Sequence, residues 1–131
     1  MLRPRSIPFA LALATACTVA QAAGEPPAIA QSACLDSATT TAGMQDCVAS
    51  ENKTQDARLN RLYRALIAQQ SSASQKAQLQ AAQRQWLKFR DANCVFYAAS
   101  TGGSMATLAA DECVRATTTR RADELEQLLR P

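Results

Sequence analysis

The residues of this chain that could do chemistry concentrate in one segment, AQRQWLKFRDANC, at positions 82–94. Trp86 is the sole tryptophan, Arg90 and Asp91 are adjacent and opposite in charge, and Cys94 supplies a thiol. An Arg–Asp pair beside an aromatic ring is compatible with a catalytic dyad or a ligand pocket. At helical spacing among apolar residues, such groups more often form a core with an ion pair at its edge. The rest of the sequence favours this second interpretation.

The sequence lacks the groups that enzymes use most often. It contains no histidine, so the commonest general base and metal ligand is missing. It has neither a G-x-S-x-G nucleophile motif nor a glycine-rich phosphate loop after a strand. The carboxylates at 111–112 and at 124 and 126 are typical of a solvated helix face. We therefore predict a protein that is not an enzyme and that uses no cofactor and no metal.

Residues 1–22 have the order and length of a secretory signal peptide. A basic start is followed by an apolar run and by Ala20-Gln21-Ala22, a small-x-small cleavage site, and the apolar run is too short for a membrane anchor. A competing cut in LATAC would leave Cys17 for lipidation, although Ala14 stands where lipoprotein signals usually carry leucine. We expect a secreted or periplasmic protein without a transmembrane segment, and lipid anchoring through Cys17 is the less favoured alternative.

Cleavage changes the charge. The chain has 14 Lys and Arg against 11 Asp and Glu, and the signal removes Arg3 and Arg5, which leaves 12 against 11 and a net charge of about +1. No polybasic segment remains, so nucleic acid is excluded as the expected partner.

The cysteine count also changes, because losing Cys17 leaves Cys34, Cys47, Cys94 and Cys113. An even number in a small exported chain predicts two disulfides. Zinc is disfavoured, since there is no histidine and no C-x-x-C pair. Three connectivities are possible, and we weakly favour the sequential one because it closes the shortest loops. Each bridge would contribute on the order of 3 kcal/mol.

Three helices are expected. The Pro-Pro segment 23–33 reads as an extended arm, and apolar residues then recur at helical spacing from Met44. A polar turn at 69–75 and a loop at 99–104 separate the second helix from its neighbours. On the second helix we place one apolar side: Leu79, Ala82, Trp86, Phe89 and Phe96. For the third, at about 105–129, the apolar residues are Met105, Leu108, Leu125, Leu128 and Leu129.

Three successive threonines at 117–119 favour a kink or a break in the third helix. No strand-like alternation is present. The predicted fold is all-α: a small, disulfide-stapled bundle of about three helices at 34–131, built on an antiparallel helix hairpin.

The hairpin turn sets a register. If it centres near residue 72, Asp56 lies beside Arg90 and Asn60 lies beside residues 84–86. We expect an Asp56–Arg90 ion pair with Trp86 and Phe89 packed around it. Replacing Asp56 with alanine should then cost ~1–3 kcal/mol by leaving the arginine unpaired.

These blocks resemble the LprI-type domain of small exported bacterial proteins. The matching segments are DARLNRLYRAL (56–66), AQRQWLKFRDANC (82–94), GGS (102–104) and CVRATTTRRADEL (113–125), and the four cysteines also match. A departure is Gly43, where related sequences often have a glutamate that completes a capping box. The motif residues expected to be structural are Asp56, Leu59, Asn60, Tyr63, Trp86, Arg90, Asp91 and Arg121.

The resemblance implies a binding protein that inhibits lysozyme by protein–protein contact. The alternative is an envelope accessory or structural protein with another partner. The candidate partner-binding loop is Ser100, Thr101, Gly102, Gly103 and Ser104, which otherwise serves only to join two helices, with Ser104 as an N-cap. A local acidic patch on the third helix would suit a basic lysozyme: Asp111, Glu112, Asp123, Glu124 and Glu126. The sequence leaves the oligomeric state open.

Overall fold

The computed structural model describes residues 33–130. Within that range the chain forms three long helices and no strand: α1 (Thr41–Gln69), α2 (Ala73–Thr101) and α3 (Ala106–Leu129). A short 3-10 turn, Gly103–Met105, joins α2 to α3, and residues 33–37 are helical. The all-α prediction is confirmed. The predicted signal peptide and all but the last residue of the predicted arm lie outside the described residues.

The helices begin and end where side-chain caps and glycines allow. The Thr40 hydroxyl accepts a hydrogen bond from the Gly43 amide, and the Ser72 hydroxyl accepts one from the Gln75 amide. Thr40 therefore caps α1 even though Gly43 cannot complete a capping box. The second cap shortens the predicted turn at 69–75, because helix α2 starts directly after Ser72.

Gly102 and Gly103 end α2. Both have positive φ values, 66° and 58°, which residues with a side chain rarely adopt. The chain reverses at these two glycines. Helix α2 continues to Thr101, so residues 99–101 of the predicted loop are helical.

Helix α3 packs along both α1 and α2, which approach each other less closely. The buried core is formed by α1 and α3 and consists of Leu59, Leu62, Leu66, Ala122 and Leu125. Tyr63, Leu79, Trp86 and Leu129 pack against it while partly buried. Helix α2 therefore covers the core and contributes little to its centre.

The predicted apolar side of α2 is partly wrong. Phe89 and Phe96 are 59% and 66% exposed, and Ala82 is exposed as well. The buried residues of α2 are Gln83 and Cys94. These two residues have specific partners on α3, and those partners fix which side of the helix turns inward. The phenylalanines consequently face outward.

The third helix also differs from expectation. Met105 and Leu128 are exposed, so they do not belong to its apolar face. The helix runs unbroken through the three threonines, which makes the predicted break wrong. Thr117 and Thr118 are buried against the bundle, and the Thr119 hydroxyl donates to the Arg115 carbonyl oxygen at 2.9 Å. Burial and this hydrogen bond outweigh the weak helix propensity of threonine.

Two disulfides staple the bundle, Cys34–Cys47 and Cys94–Cys113. Their Cα–Cα distances, 5.8 and 5.4 Å, lie in the ordinary range. The sequential pairing favoured from loop length is the one observed. The first bridge ties the segment before α1 to that helix, and the second ties α2 to α3 across the glycine turn. None of the described helices is both long enough and apolar enough to cross a membrane.

Candidate functional site: the clamped end and the hairpin groove

Both disulfides lie at one end of the bundle, which we call the clamped end. Helices α1 and α2 are antiparallel with Asp56 opposite Arg90, so the start of α1 lies level with the end of α2. The Asn52 amide donates to the Asp111 carbonyl oxygen at 3.1 Å, which brings the start of α3 to the same end. The clamped end therefore comprises residues 33–56 and 91–115, with the glycine turn at its tip.

The candidate loop is at this tip, but its hydroxyls are already used in part. Ser100 donates to the Phe96 carbonyl oxygen at 2.9 Å, and Thr101 donates to the Tyr97 carbonyl oxygen at 3.0 Å. A Cβ built on Gly102 or Gly103 would meet no atom within 4 Å, so the turn borders open space. Ser104 is exposed and is not the N-cap of α3, because that position is Met105, which makes no side-chain capping bond.

Most carboxylates of the acidic patch predicted on the third helix form ion pairs. Arg58 of α1 contacts Asp123 at 2.7 Å and Glu126 at 2.5 Å. Glu124 pairs with Arg121 at 2.9 Å, and Glu112 pairs with Arg115. Four of the five carboxylates of the predicted patch are therefore paired with arginines. The carboxylates that form no ion pair among the described residues are instead at the clamped end: Asp36, Asp46, Glu51 and Asp111.

The fold separates charge along its length. The clamped end carries seven carboxylates against two basic side chains, a net charge of −5. The opposite end, residues 57–90 and 116–130, carries ten basic side chains against three carboxylates, a net charge of +7. A protein that is nearly neutral as a whole thus presents one acidic end and one basic end.

Arg90 joins all three helices. Its Nη1 atom lies 3.6 Å from Asp56 on α1 and 3.4 Å from the Thr118 hydroxyl on α3. Its Nη2 and Nε atoms donate to Asp91 at 2.9 and 3.0 Å. The predicted Asp56–Arg90 ion pair is present, and its position agrees with the register predicted from the turn. Because Asp91 is a second and closer partner, Arg90 does not depend on Asp56 for its charge balance.

Trp86 lies under this arginine. The guanidinium carbon is 5.3 Å from the indole centroid, a cation–π contact, and the ring packs on the core. The predicted neighbour Phe89 takes no part, since it points to solvent. Arg121 makes a similar link from α3, because it donates to the Gln83 side-chain oxygen at 3.1 Å.

A cleft of about 340 Å³ separates α1 from α2, and we call it the hairpin groove. It exists because α3 fills the space beneath both helices and holds them apart. Four of the motif residues from α1 line one wall: Asp56, Leu59, Asn60 and Tyr63. The opposite wall, from α2, consists of Gln80, Gln83, Arg84, Leu87 and Arg90.

Arg58 was not among the residues predicted for any site. Its side chain is only 23% exposed and binds two carboxylates. Burial lowers the pKa of Arg58, but the hydrogen bonds to Asp123 and Glu126 raise it more, so the net change is upward. The available signal was the spacing of Asp123 and Glu126, which puts both carboxylates on one helix face within reach of a forked guanidinium.

This arrangement is suited to binding. Across residues 33–130, no group of three or more Cys, Asp or Glu side chains could hold a metal ion. Arg90 bonds Asp91 and contacts both neighbouring helices, so these two side chains already have partners within the fold. The surfaces left for recognition are the clamped end and the hairpin groove.

Comparison with known proteins identifies the family. No curated protein and no solved structure matches the chain significantly. The family model described as lysozyme inhibitor LprI matches residues 33–125, a range that contains both disulfides, α1, α2, most of α3 and the groove residues. The chain therefore belongs to the LprI family.

Proposed function

We propose that this protein is an exported inhibitor of lysozyme that binds its target through the clamped end. The single observation that carries the proposal is the coincidence of both disulfides, the glycine turn and a net charge of −5 at that end. Family membership supports an inhibitor-like binding function. Two disulfides also suit an oxidising compartment outside the cytoplasm.

The clamped end has the properties that insertion into an enzyme cleft requires. A surface that is ordered before contact loses little conformational entropy on binding, and the Cys94–Cys113 bridge holds both sides of the glycine turn. Animal lysozymes are strongly basic, so Asp46 and Asp111, which form no ion pair among residues 33–130, would steer and orient the encounter.

Exposed apolar side chains next to the turn would supply contact area. Phe96, Tyr97 and Met105 are 66%, 51% and 41% exposed, and Phe96 meets Tyr97 edge to face at 6.2 Å. Aromatic residues and methionine are enriched at the centres of protein interfaces. An apolar centre with an acidic rim is the kind of surface that a basic partner would cover.

The test is a turbidity assay of lysozyme on peptidoglycan with the purified, oxidised protein. We expect clearing to slow in proportion to the inhibitor. Ser104→Tyr places a bulky group on the turn and should raise the concentration for half-inhibition by roughly tenfold or more. Ser74→Tyr is the matched control, because Ser74 is an exposed serine in the first turn of α2 at the opposite end.

Unaltered clearing at micromolar protein would refute lysozyme inhibition and leave the accessory role with another partner. Equal effects of the two tyrosine variants would refute the clamped end as the contact surface. A mass measurement of the exported protein, with and without reduction, tests cleavage after residue 22 against lipidation at Cys17.

A further inference from the structure

The hairpin groove contains polar groups that the fold does not use. Asn60, Tyr63, Gln80 and Arg84 line it, and within residues 33–130 their side chains form no hydrogen bond or ion pair. The other polar groups of the groove are engaged, since Gln83 accepts from Arg121 and Arg90 contacts two carboxylates. The unused donors and acceptors come from both walls and face one cleft.

The floor of the groove is apolar. Leu59 is buried and Leu87 is 37% exposed, and the ring of Tyr63 packs partly into the core. A cleft with an apolar floor and a few polar groups at its walls is the usual form of a binding site.

Its length suits a short extended chain. From Asp56 to Tyr63 the helix advances seven residues, about 10 Å at 1.5 Å per residue. That span accommodates about three residues of an extended peptide. The side-chain amides of Asn60 and Gln80, one on each wall, can both donate to a peptide carbonyl and accept from a peptide amide.

The charge of this region selects for carboxylates. Arg84 is exposed at the groove and forms no ion pair within residues 33–130. Arg64 lies one turn from Asn60 towards the hairpin turn, and Lys88 lies one turn from Arg84 in the opposite direction, because the two helices are antiparallel. Neither forms an ion pair among the described residues. Both belong to the basic end with its net charge of +7. An anion is therefore attracted to the cleft around Arg84.

We propose that the hairpin groove is a second binding site, which takes a short, extended acidic peptide segment. A glutamate or aspartate of the segment pairs with Arg84, the amides of Asn60 and Gln80 hold its backbone, and an aliphatic side chain rests on Leu59 and Leu87. The site is separate from the glycine turn and does not depend on lysozyme inhibition.

The test uses a blocked peptide in which glutamate and alanine alternate, with the glutamine analogue as its neutral control. Trp86 is the sole tryptophan and stacks under Arg90, which lines the groove. Its fluorescence therefore reports occupancy of the groove. We expect saturable binding of the acidic peptide, no saturation with the glutamine analogue, and weaker binding as salt is raised.

Two charge variants, one inside the groove and one outside it, distinguish a specific site from general electrostatic attraction. Arg84→Gln should weaken binding roughly tenfold or more through loss of a charge-assisted hydrogen bond. Lys76→Gln removes one exposed positive charge outside the groove and should weaken it by about twofold at most. Asn60→Ala should also weaken binding, which a purely electrostatic attraction would not show.

Circular dichroism and melting curves establish that each variant is folded. Absence of saturation with the acidic peptide, or equal losses in Arg84→Gln and Lys76→Gln, would overturn the proposal. Tighter binding of polyphosphate or of an oligogalacturonate, with the same loss in Arg84→Gln, would also overturn it, because the ligand would then be an anion other than a peptide.

Discussion

Arg58 is the best residue with which to test how α1 and α3 are held together. Replacing it with methionine keeps most of the aliphatic stem and removes the charge. The change breaks contacts of 2.7 Å to Asp123 and 2.5 Å to Glu126. It also leaves two carboxylates, three residues apart on α3, without the cation between them.

The expected magnitude follows from exposure. The carboxylates are 49% and 42% exposed and the arginine side chain is 23% exposed, so each pair is worth more than a surface pair but less than a buried one. With about 0.5–1 kcal/mol for each contact, Arg58→Met should lower the free energy of unfolding by about 1–2 kcal/mol. For a domain of this size that corresponds to a fall of about 5–15 °C in the melting temperature.

The assay is urea and thermal unfolding of the oxidised protein, followed by a double-mutant cycle with Glu126→Gln. Arg61→Met is the matched control, because Arg61 is exposed on the same helix and forms no ion pair within the described chain. It should change stability by no more than about 0.5 kcal/mol. Equal melting temperatures for Arg58→Met and the wild type, or a coupling energy near zero, would refute the stabilising role of the two Arg58 ion pairs.

The pH dependence of this effect has a definite sign. A group whose pKa is raised by folding adds stability that is complete below its unfolded pKa and disappears as the pH rises through the folded value. The pKa of Arg58 is raised, so its contribution should be constant around neutrality and disappear only in strongly alkaline solution. A stability difference between Arg58→Met and the wild type that varies around neutral pH would contradict this assignment.

Three further predictions concern stability. Asp56→Ala should cost only about 0.5 kcal/mol in urea unfolding, because Arg90 retains its closer aspartate; a loss of about 2 kcal/mol would restore the larger effect expected from sequence. Replacing Cys94 and its partner cysteine with alanines should cost about 3 kcal/mol or more by the loop model, and an unshifted melting temperature would show that the bridge does not clamp the fold. Leu125→Ala should cost about 3–4 kcal/mol, because Leu125 is 0% exposed. Leu128→Ala, at a site 63% exposed, should be nearly neutral. Similar losses of stability in the two variants would contradict the assignment of Leu125 to the core.

The sequence predicted most of the local structure correctly. Helical spacing and the glycine pair at 102–103 act within a few positions along the chain, so they can be recognised without the fold. The cysteine pairing was favoured from loop length alone. The Asp56–Arg90 pair also followed from counting outward from the turn, because two helices of constant rise must meet at predictable positions.

The errors arose wherever a residue's role depended on what lies opposite it. Phe89 and Phe96 looked like core residues, but Gln83 and Cys94 turn inward because α3 offers Arg121 and Cys113 as partners. The acidic residues of the third helix looked free, but Arg58 and other arginines bind them. Neither partner set can be read from the periodicity of one helix.

The sequence by itself determined an all-α fold of three long helices and a pair of disulfides, because helix propensity, capping and the cysteine spacing are local properties. It also determined a net charge close to zero after cleavage at the predicted site. Only the tertiary structure decided that this charge separates into an acidic end and a basic end. The reason is the antiparallel hairpin, which brings the starts of α1 and α3 beside the end of α2 and so gathers carboxylates that are far apart along the chain.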